Sequence, residues 1–152
     1  MLNTKELIPS LTLHVSDGRT VRAWDFKQKK NLVIAFLDVD CAMCADFLRR
    51  LAAFAGELRA KESVALAAFL QIPPQALTDG LPPEIIAGSD VSGRSARAFL
   101  REDALSPRGL ARRGLFVTDR YGELAAQWIA ADHEFPAVGE IIACLSYLEN
   151  LC

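Results

Sequence analysis

The first half of the chain contains a short segment in which polar and apolar residues alternate, followed by two continuous apolar runs. Alternation over residues 11–15, a Ser-Asp-Gly turn signal and a second extended segment at 20–24 predict an N-terminal hairpin. Residues 32–37 and 64–70 are apolar without alternation, which is typical of strands covered on both faces of a sheet. We therefore expect both runs to be strands inside a sheet, with residues 32–37 at its centre.

The segment between these two runs has the periodicity of an amphipathic helix. Apolar residues recur at three- and four-residue steps from Cys44 to Leu58, and arginine and glutamate occupy the positions between them. This pattern predicts one helix between two strands that lie parallel, with a right-handed crossover. It also predicts that Cys44 faces the core and that Cys41 lies at the exposed start of the helix.

Shorter elements are predicted for the second half of the chain. Residues 73–83 contain two Pro-Pro pairs and an Asp-Gly pair, so we expect a loop without regular structure there. The segments that follow are predicted to be a short strand at 84–87, a helix at 92–101, a strand at 114–118, a turn at 119–122, an antiparallel strand at 123–130 and a last helix that Pro136 opens.

Composition narrows the class of protein. The chain has 152 residues, of which 51% are hydrophobic, so we expect one domain, residues 1–152, with a large core. A net charge of -2 gives no basic field for nucleic acid or anionic lipid. No apolar run approaches the roughly 20 residues of a membrane span, and no secretory pattern begins the chain. These features predict a soluble cytoplasmic protein without nucleic-acid or membrane partners, and they leave its oligomeric state open.

The candidate chemistry is a cysteine pair, Cys41 and Cys44, between the 32–37 run and the predicted helix. Two sulfurs two residues apart on the first turn of a helix can form a disulfide with little backbone movement, and the helix N-terminus stabilises a thiolate. A metal site would need two further ligands, for which His133 is the main candidate besides the distant cysteines. No glycine-rich phosphate loop indicates a cofactor. The pair therefore predicts a reversible dithiol–disulfide switch without a metal or cofactor.

The order of elements resembles the thioredoxin-like fold, and one segment resembles the peroxiredoxin (AhpC/TSA) family. That segment begins with Arg113-Gly-Leu-Phe-Val-Thr-Asp and continues to Gly122, after which come a strand, a proline and a helix with a glutamate near its start. The resemblance implies a three-layer α/β fold with a central mixed sheet. It also implies that Arg113 is an active-site arginine whose guanidinium stabilises a thiolate and a transition-state oxygen.

The resemblance leaves two assignments of the cysteine pair open. In thioredoxin-type proteins the first cysteine attacks a substrate disulfide and the second resolves the mixed disulfide, which gives attack to Cys41 and resolution to Cys44. In peroxiredoxins the attacking cysteine follows a threonine by three residues and a proline by seven. That pattern gives peroxide attack to Cys44 and puts Cys41 at the threonine position and Leu37 at the proline position. Cys41 would then condense with a sulfenic acid on Cys44.

These assignments define three functional hypotheses. The cysteine in place of threonine favours the first, an oxidoreductase that reduces disulfides. The resemblance of the segment from Arg113 favours the second, an antioxidant peroxidase that reduces hydroperoxides. The third is a non-catalytic redox sensor or binding module. The first two require a thiol reductant whose identity the sequence leaves open. Asp38 and Asp40 raise the pKa of a neighbouring thiol and Arg113 lowers it, so the balance depends on their distances.

The remaining cysteines, histidines and aromatic residues suggest packing more than chemistry. Cys144 falls among the apolar positions of the last helix, and we expect Trp128 and Phe135 to be packing residues. We expect His14 on the solvent face of its strand. Cys152 is the final residue, for which the functional hypothesis is a thiol that resolves a disulfide in a second subunit.

Overall fold

The computed structural model of the protein describes residues 2–101, 113–130 and 135–150, which form a mixed sheet flanked by helices. The strands are β1 (Thr12–His14), β2 (Thr20–Arg22), β3 (Asn31–Leu37), β4 (Ser63–Phe69), β5 (Ile85–Ser89), β6 (Arg113–Thr118) and β7 (Leu124–Ala130). The helices are α1 (Ala42–Ala53), α2 (Ala55–Ala60), α3 (Gln75–Thr78), α4 (Arg94–Leu100) and α5 (Val138–Glu149). Strand order in the seven-stranded sheet is β2-β1-β5-β4-β3-β6-β7.

Strand β3 lies near the middle of the sheet, parallel to β4 and antiparallel to β6. Every residue of β3 and of β4 is buried. Because both faces of these strands pack against other layers, neither face needs polar side chains, and the apolar pattern is continuous rather than alternating. The structure confirms the predicted strands and the parallel pairing, but the central strand of the seven is β4, and β3 lies next to it.

Each face of the sheet carries its own hydrophobic cluster. On the first face, α1 and α5 bury Phe47 and Ile141 against the strands. On the second face, Phe36, Phe99 and Phe116 meet with ring centroids 5.1–5.9 Å apart. The molecule therefore has three layers with the mixed sheet in the middle, which confirms the predicted α/β fold class.

The N-terminal hairpin forms as predicted, but its second strand is shorter. Strands β1 and β2 pair antiparallel, and β2 ends at Arg22 rather than continuing to Trp24. Residues Ala23–Phe26 form a 3-10 helix instead, and the Asp25 carboxylate accepts a hydrogen bond of 2.9 Å from the Arg22 amide. This turn leaves the Trp24 side chain 71% exposed.

The helix predicted between β3 and β4 is in fact two helices, α1 and α2. Phe54 separates them with φ -100° and ψ 16°, and its amide donates to the carbonyl of Leu51, three residues earlier, at 3.0 Å. A bond over three residues tightens and ends the helix. After the break, Leu58 is still fully buried in the first cluster. The apolar periodicity therefore predicted the buried face correctly but not the break.

The segment predicted to lack regular structure contains the short helix α3. Pro74 precedes its first residue, a place where proline costs no helical hydrogen bond, and the Leu77 amide donates to the Pro74 carbonyl at 2.9 Å. The last helix, α5, begins at Val138, two residues after Pro136, and buries Val138, Ile141 and Leu145 as the spacing predicts.

Two residues singled out in the sequence, His133 and Cys152, lie outside the described residues. None of the helices in the described ranges is long and apolar enough to cross a membrane.

Candidate active site

Cys41 occupies the N-cap of α1, beyond the carboxyl end of β3. Its backbone is extended (φ -111°, ψ 110°), and its sulfur accepts a hydrogen bond of 3.1 Å from the Cys44 amide. A serine, threonine or aspartate oxygen usually accepts this bond, because the first amides of a helix have no partner within the helix. Cys41 lies at the helix start, as the sequence predicted, but it is half-buried against the first cluster rather than exposed.

Arg113 reaches the same sulfur from the neighbouring strand. It is the first residue of β6, whose antiparallel register sets Gly114 opposite Phe36 near the end of β3. The Arg113 Nη1 donates a hydrogen bond of 3.1 Å to the Cys41 Sγ. An amide at the start of the helix and a guanidinium thus both donate to the Cys41 sulfur.

Cys44 lies one turn further along α1 in a different environment. Cys44 is 1% exposed and belongs to the hydrophobic cluster between the sheet, α1 and α5. The Asp38 amide donates to its sulfur at 3.5 Å. Burial, followed by the hydrogen bond to Cys41, raises the pKa of Cys44 to about 12, and the attraction of Arg113 offsets only part of this. Cys44 is therefore a neutral thiol near pH 7.

Two aspartates, Asp38 and Asp40, precede the helix. They are not the main causes of the raised pKa of Cys44, which are burial and the hydrogen bond to Cys41. Burial raises the pKa of Asp38, Arg113 opposes this and Asp40 adds to it. For Arg113, burial alone would lower the pKa, but the attraction of Cys41, Cys44 and Asp38 at the high pH where arginine titrates, together with the hydrogen bond to Cys41, raises it overall. The Arg113 guanidinium contacts the Cys41 sulfur directly.

The other residues singled out in the sequence lie away from the pair or pack in the core. His14 is exposed on β1, and Cys144 is half-buried on α5, where burial raises its pKa. Trp128 and Phe135 both pack against the first cluster, and the Phe135 ring stacks on Phe47 at 4.6 Å. Within residues 2–101, 113–130 and 135–150, no three histidine, cysteine or acidic side chains are grouped as metal ligands.

No protein-family model matches the chain, and no curated protein is significantly similar to it. Similarity appears among solved structures. The reduced 2-Cys peroxiredoxin of Plasmodium vivax aligns over 97% of this chain and 82% of its own, with a TM-score of 0.79 and 14% identity. The AhpC of Mycobacterium tuberculosis aligns over 100% of this chain and 97% of its own, with a TM-score of 0.76 and 16% identity. The fold is the thioredoxin-like fold of peroxiredoxins.

The same fold is also found in a protein named for disulfide exchange. A putative thiol:disulfide interchange protein DsbE from Chlorobium tepidum aligns over 95% of this chain and 99% of its own, with a TM-score of 0.70 and 18% identity. The structural neighbours therefore confirm the thioredoxin-like, peroxiredoxin-type fold that the sequence predicted. At these identities the likeness concerns the fold, and the function must be argued from the cysteines and their partners.

We expect the reduced protein to lose stability above pH 9 because of Cys44. The pKa of this thiol is about 12 in the folded protein against an ordinary value of 9.0. Between these values the unfolded chain binds fewer protons, so the free energy of unfolding falls by up to about 1.4 kcal/mol per pH unit, whereas below pH 9 the contribution is fully present. Urea unfolding with a reductant at about pH 8 and about pH 10.5 measures this loss.

The control for this prediction is Cys44→Ala, which removes the titrating group. The wild type should be the more stable protein at the lower pH, and the difference in unfolding free energy should narrow by about 2 kcal/mol at the higher pH. Equal slopes against pH in both proteins would contradict the buried neutral thiol.

Proposed function

We propose that the protein is a thiol–disulfide oxidoreductase in which Cys41 attacks and Cys44 resolves. The observation that carries the proposal is the hydrogen bond of 3.1 Å from Arg113 to the half-buried Cys41 sulfur. The thiolate is the nucleophile in disulfide exchange. Two donors, one of them a cation, contact the half-buried Cys41 sulfur, whereas burial keeps Cys44 protonated. These different environments support attack by the outer sulfur.

The proposed reaction proceeds in two exchange steps. The Cys41 thiolate attacks one sulfur of a substrate disulfide, forms a mixed disulfide and releases the other substrate sulfur as a thiolate that takes up a proton. Cys44 then loses its proton and attacks the Cys41 sulfur, which releases the second substrate thiol and leaves a Cys41–Cys44 disulfide. The substrate gains two electrons and the dithiol loses them. A thiol reductant returns the pair to the dithiol.

The mixed disulfide changes the surroundings of Cys44 in the direction that the second step needs. Burial is the largest cause of its raised pKa, but the hydrogen bond to Cys41 and the charge of Cys41 also raise it. Once Cys41 is bonded to the substrate, its sulfur carries no charge and is a weaker acceptor. Arg113 still lowers the pKa of Cys44. Formation of the mixed disulfide therefore promotes ionisation of the resolving thiol.

Trapping of the mixed disulfide tests this proposal. The Cys44→Ser variant should accumulate a stable adduct on Cys41 when it is mixed with oxidised glutathione, because no thiol is left on α1 to resolve it. The Cys41→Ser variant should form no such adduct on Cys44, whose thiol is buried and protonated. Mass spectrometry of peptides locates the added glutathione.

Cys144→Ser is the control for the trapping experiment, since Cys144 is half-buried and lies on α5. It should behave as the wild type and accumulate no adduct. An adduct that forms on Cys44 in the Cys41→Ser variant at the rate seen on Cys41 would show that the proposed order of attack is wrong.

A peroxidase is the second candidate, and it rests on the shared fold together with Arg113 beside the pair. In that reaction Cys44 attacks a hydroperoxide and becomes a sulfenic acid, with release of water or an alcohol. Cys41 then condenses with the sulfenic acid to form the disulfide and a second product, water. The burial of Cys44 opposes this order. Consumption of hydrogen peroxide by the reduced protein no faster than by free cysteine would exclude it.

A further inference from the structure

A cleft at the end of the sheet opposite the dithiol suggests a second site. It has a volume of about 360 Å³ and lies where the N-terminal segment, the 3-10 helix and the β6–β7 turn meet. Leu32 near the start of β3 and Asp119 after the end of β6 line it, whereas Cys41 and Arg113 lie at the other ends of those strands. We propose that this cleft binds a small carboxylate with an apolar tail, independently of the dithiol.

The floor and rim of the cleft are suited to an apolar body. Leu11 and Leu32 form a buried floor with exposed fractions of 2% and 3%. Leu7, Trp24 and Tyr121 line the same cleft but are 65%, 71% and 56% exposed. Large apolar side chains that are exposed together around a concavity mark a binding site more often than an ordinary surface.

The charged groups around the cleft favour an anion. Four basic side chains line it, against one carboxylate, Asp119, and they are Arg22, Lys27, Lys30 and Arg120. Lys30 pairs with Glu62, and Arg120 with Glu149. Across the described part of the chain, Arg22 and Lys27 make no ion pair. A carboxylate would supply the charge that these two cations lack.

The contact between Lys27 and Trp24 places a cation beside the apolar rim. The Lys27 ammonium lies 4.2 Å from the centroid of the Trp24 ring, within the range of a cation–π interaction. A ligand that covers the ring with its tail therefore has a cation within reach of its head group. The volume is in the range of small-molecule pockets, whereas a stable protein interface buries about 800 Å² per partner.

NMR titration of the full reduced chain with decanoate tests the proposal. The chain has two tryptophans, and their indole N–H signals report on opposite faces of the sheet, because Trp24 lines the cleft and Trp128 packs in the cluster of α1 and α5. Decanoate should shift the Trp24 signal saturably and leave that of Trp128 unchanged. Decyltrimethylammonium, with the same tail and the opposite charge, should bind at least about tenfold more weakly.

Charge variants separate this site from a general affinity for fatty chains. Lys27→Gln should raise the decanoate Kd about tenfold, and Arg22→Gln should raise it similarly. Lys29→Gln is the matched control, since Lys29 is exposed on the same connection and does not line the cleft, and it should leave the Kd unchanged. An unsaturable shift of the Trp24 signal, or equal shifts of both indole signals, would overturn the proposal. So would equal Kd values for decanoate and decyltrimethylammonium, or equal decanoate Kd values for Lys27→Gln and Lys29→Gln.

Discussion

Replacement of Cys41 by serine is expected to reduce disulfide turnover to the uncatalysed rate. The other thiol of the pair cannot substitute, because Cys44 is 1% exposed and has a pKa of about 12. At pH 7 such a thiol is ionised in roughly one molecule in 10⁵. The serine hydroxyl can still accept the hydrogen bond from the Cys44 amide, since serine is a favoured N-cap residue. The variant should therefore fold normally and lose activity through chemistry alone.

Reduction of insulin disulfides with dithiothreitol as the electron source measures this loss. The Cys144→Ser variant should retain wild-type turnover, and the unfolding free energy of Cys41→Ser should lie within about 1 kcal/mol of the wild type. Turnover of Cys41→Ser near the wild-type level would refute the assignment of Cys41.

The same variant distinguishes the oxidoreductase from the peroxidase. If Cys44 attacks hydroperoxides, Cys41→Ser should keep the initial rate of hydrogen peroxide consumption, since it restores a hydroxyl where peroxiredoxins have threonine. If Cys41 is the only reactive sulfur, the variant should lose both activities. Negligible turnover of both substrates by the wild type, with an ordinary disulfide potential, would instead support a redox sensor.

The parts of the fold that the sequence predicted depend on local periodicity. The continuous apolar run of β3 predicted a strand buried on both faces, and the spacing from Cys44 to Leu58 predicted the face that packs on the sheet. Both patterns arise because burial selects apolar residues with the period of the element. The inward position of Cys44 and the place of Cys41 at the helix start follow from that period, whereas the partial burial of Cys41 does not.

Other features depend on contacts that no local pattern contains. The break at Phe54 involves a backbone hydrogen bond to Leu51, and the turn at Trp24 involves a bond from the Arg22 amide to the Asp25 carboxylate; both compete with the regular pattern. The contact between Arg113 and Cys41 joins residues 72 positions apart and requires the antiparallel register of β6 on β3. The resemblance to peroxiredoxins could single out Arg113, but only the register shows which sulfur it reaches.

The cleft at the opposite end of the sheet had no sequence signal of its own. The Trp24 side chain was predicted to belong to a strand, where it would alternate with its neighbours. It is exposed because the 3-10 helix turns it out of the hairpin. Tyr121 reaches the same cleft from a turn almost one hundred residues later. Only the tertiary structure brings these two rings together.

Arg113→Gln is expected to slow the reaction of Cys41 roughly tenfold to hundredfold. The guanidinium donates to the sulfur at 3.1 Å, and a hydrogen bond to a charged group contributes about 1.5–3 kcal/mol. Glutamine keeps a donor of similar reach but removes the charge, so the thiolate loses its electrostatic partner. The rate constant for alkylation of Cys41 by iodoacetamide at pH 7, in the Cys44→Ala background, measures this effect without a resolving step.

The Arg113→Lys variant distinguishes the effect of the positive charge of Arg113 on Cys41 from the effect of its geometry. Lysine retains the positive charge but not the planar fork, so Arg113→Lys should recover most of the alkylation rate that Arg113→Gln loses. Arg49→Gln is the control, because Arg49 is an exposed arginine of α1 that contacts Asp46 rather than either sulfur, and its rate should equal that of the parent. If the lysine variant is as slow as the glutamine variant while both unfold like the parent, the effect of Arg113 is geometric rather than due to its charge.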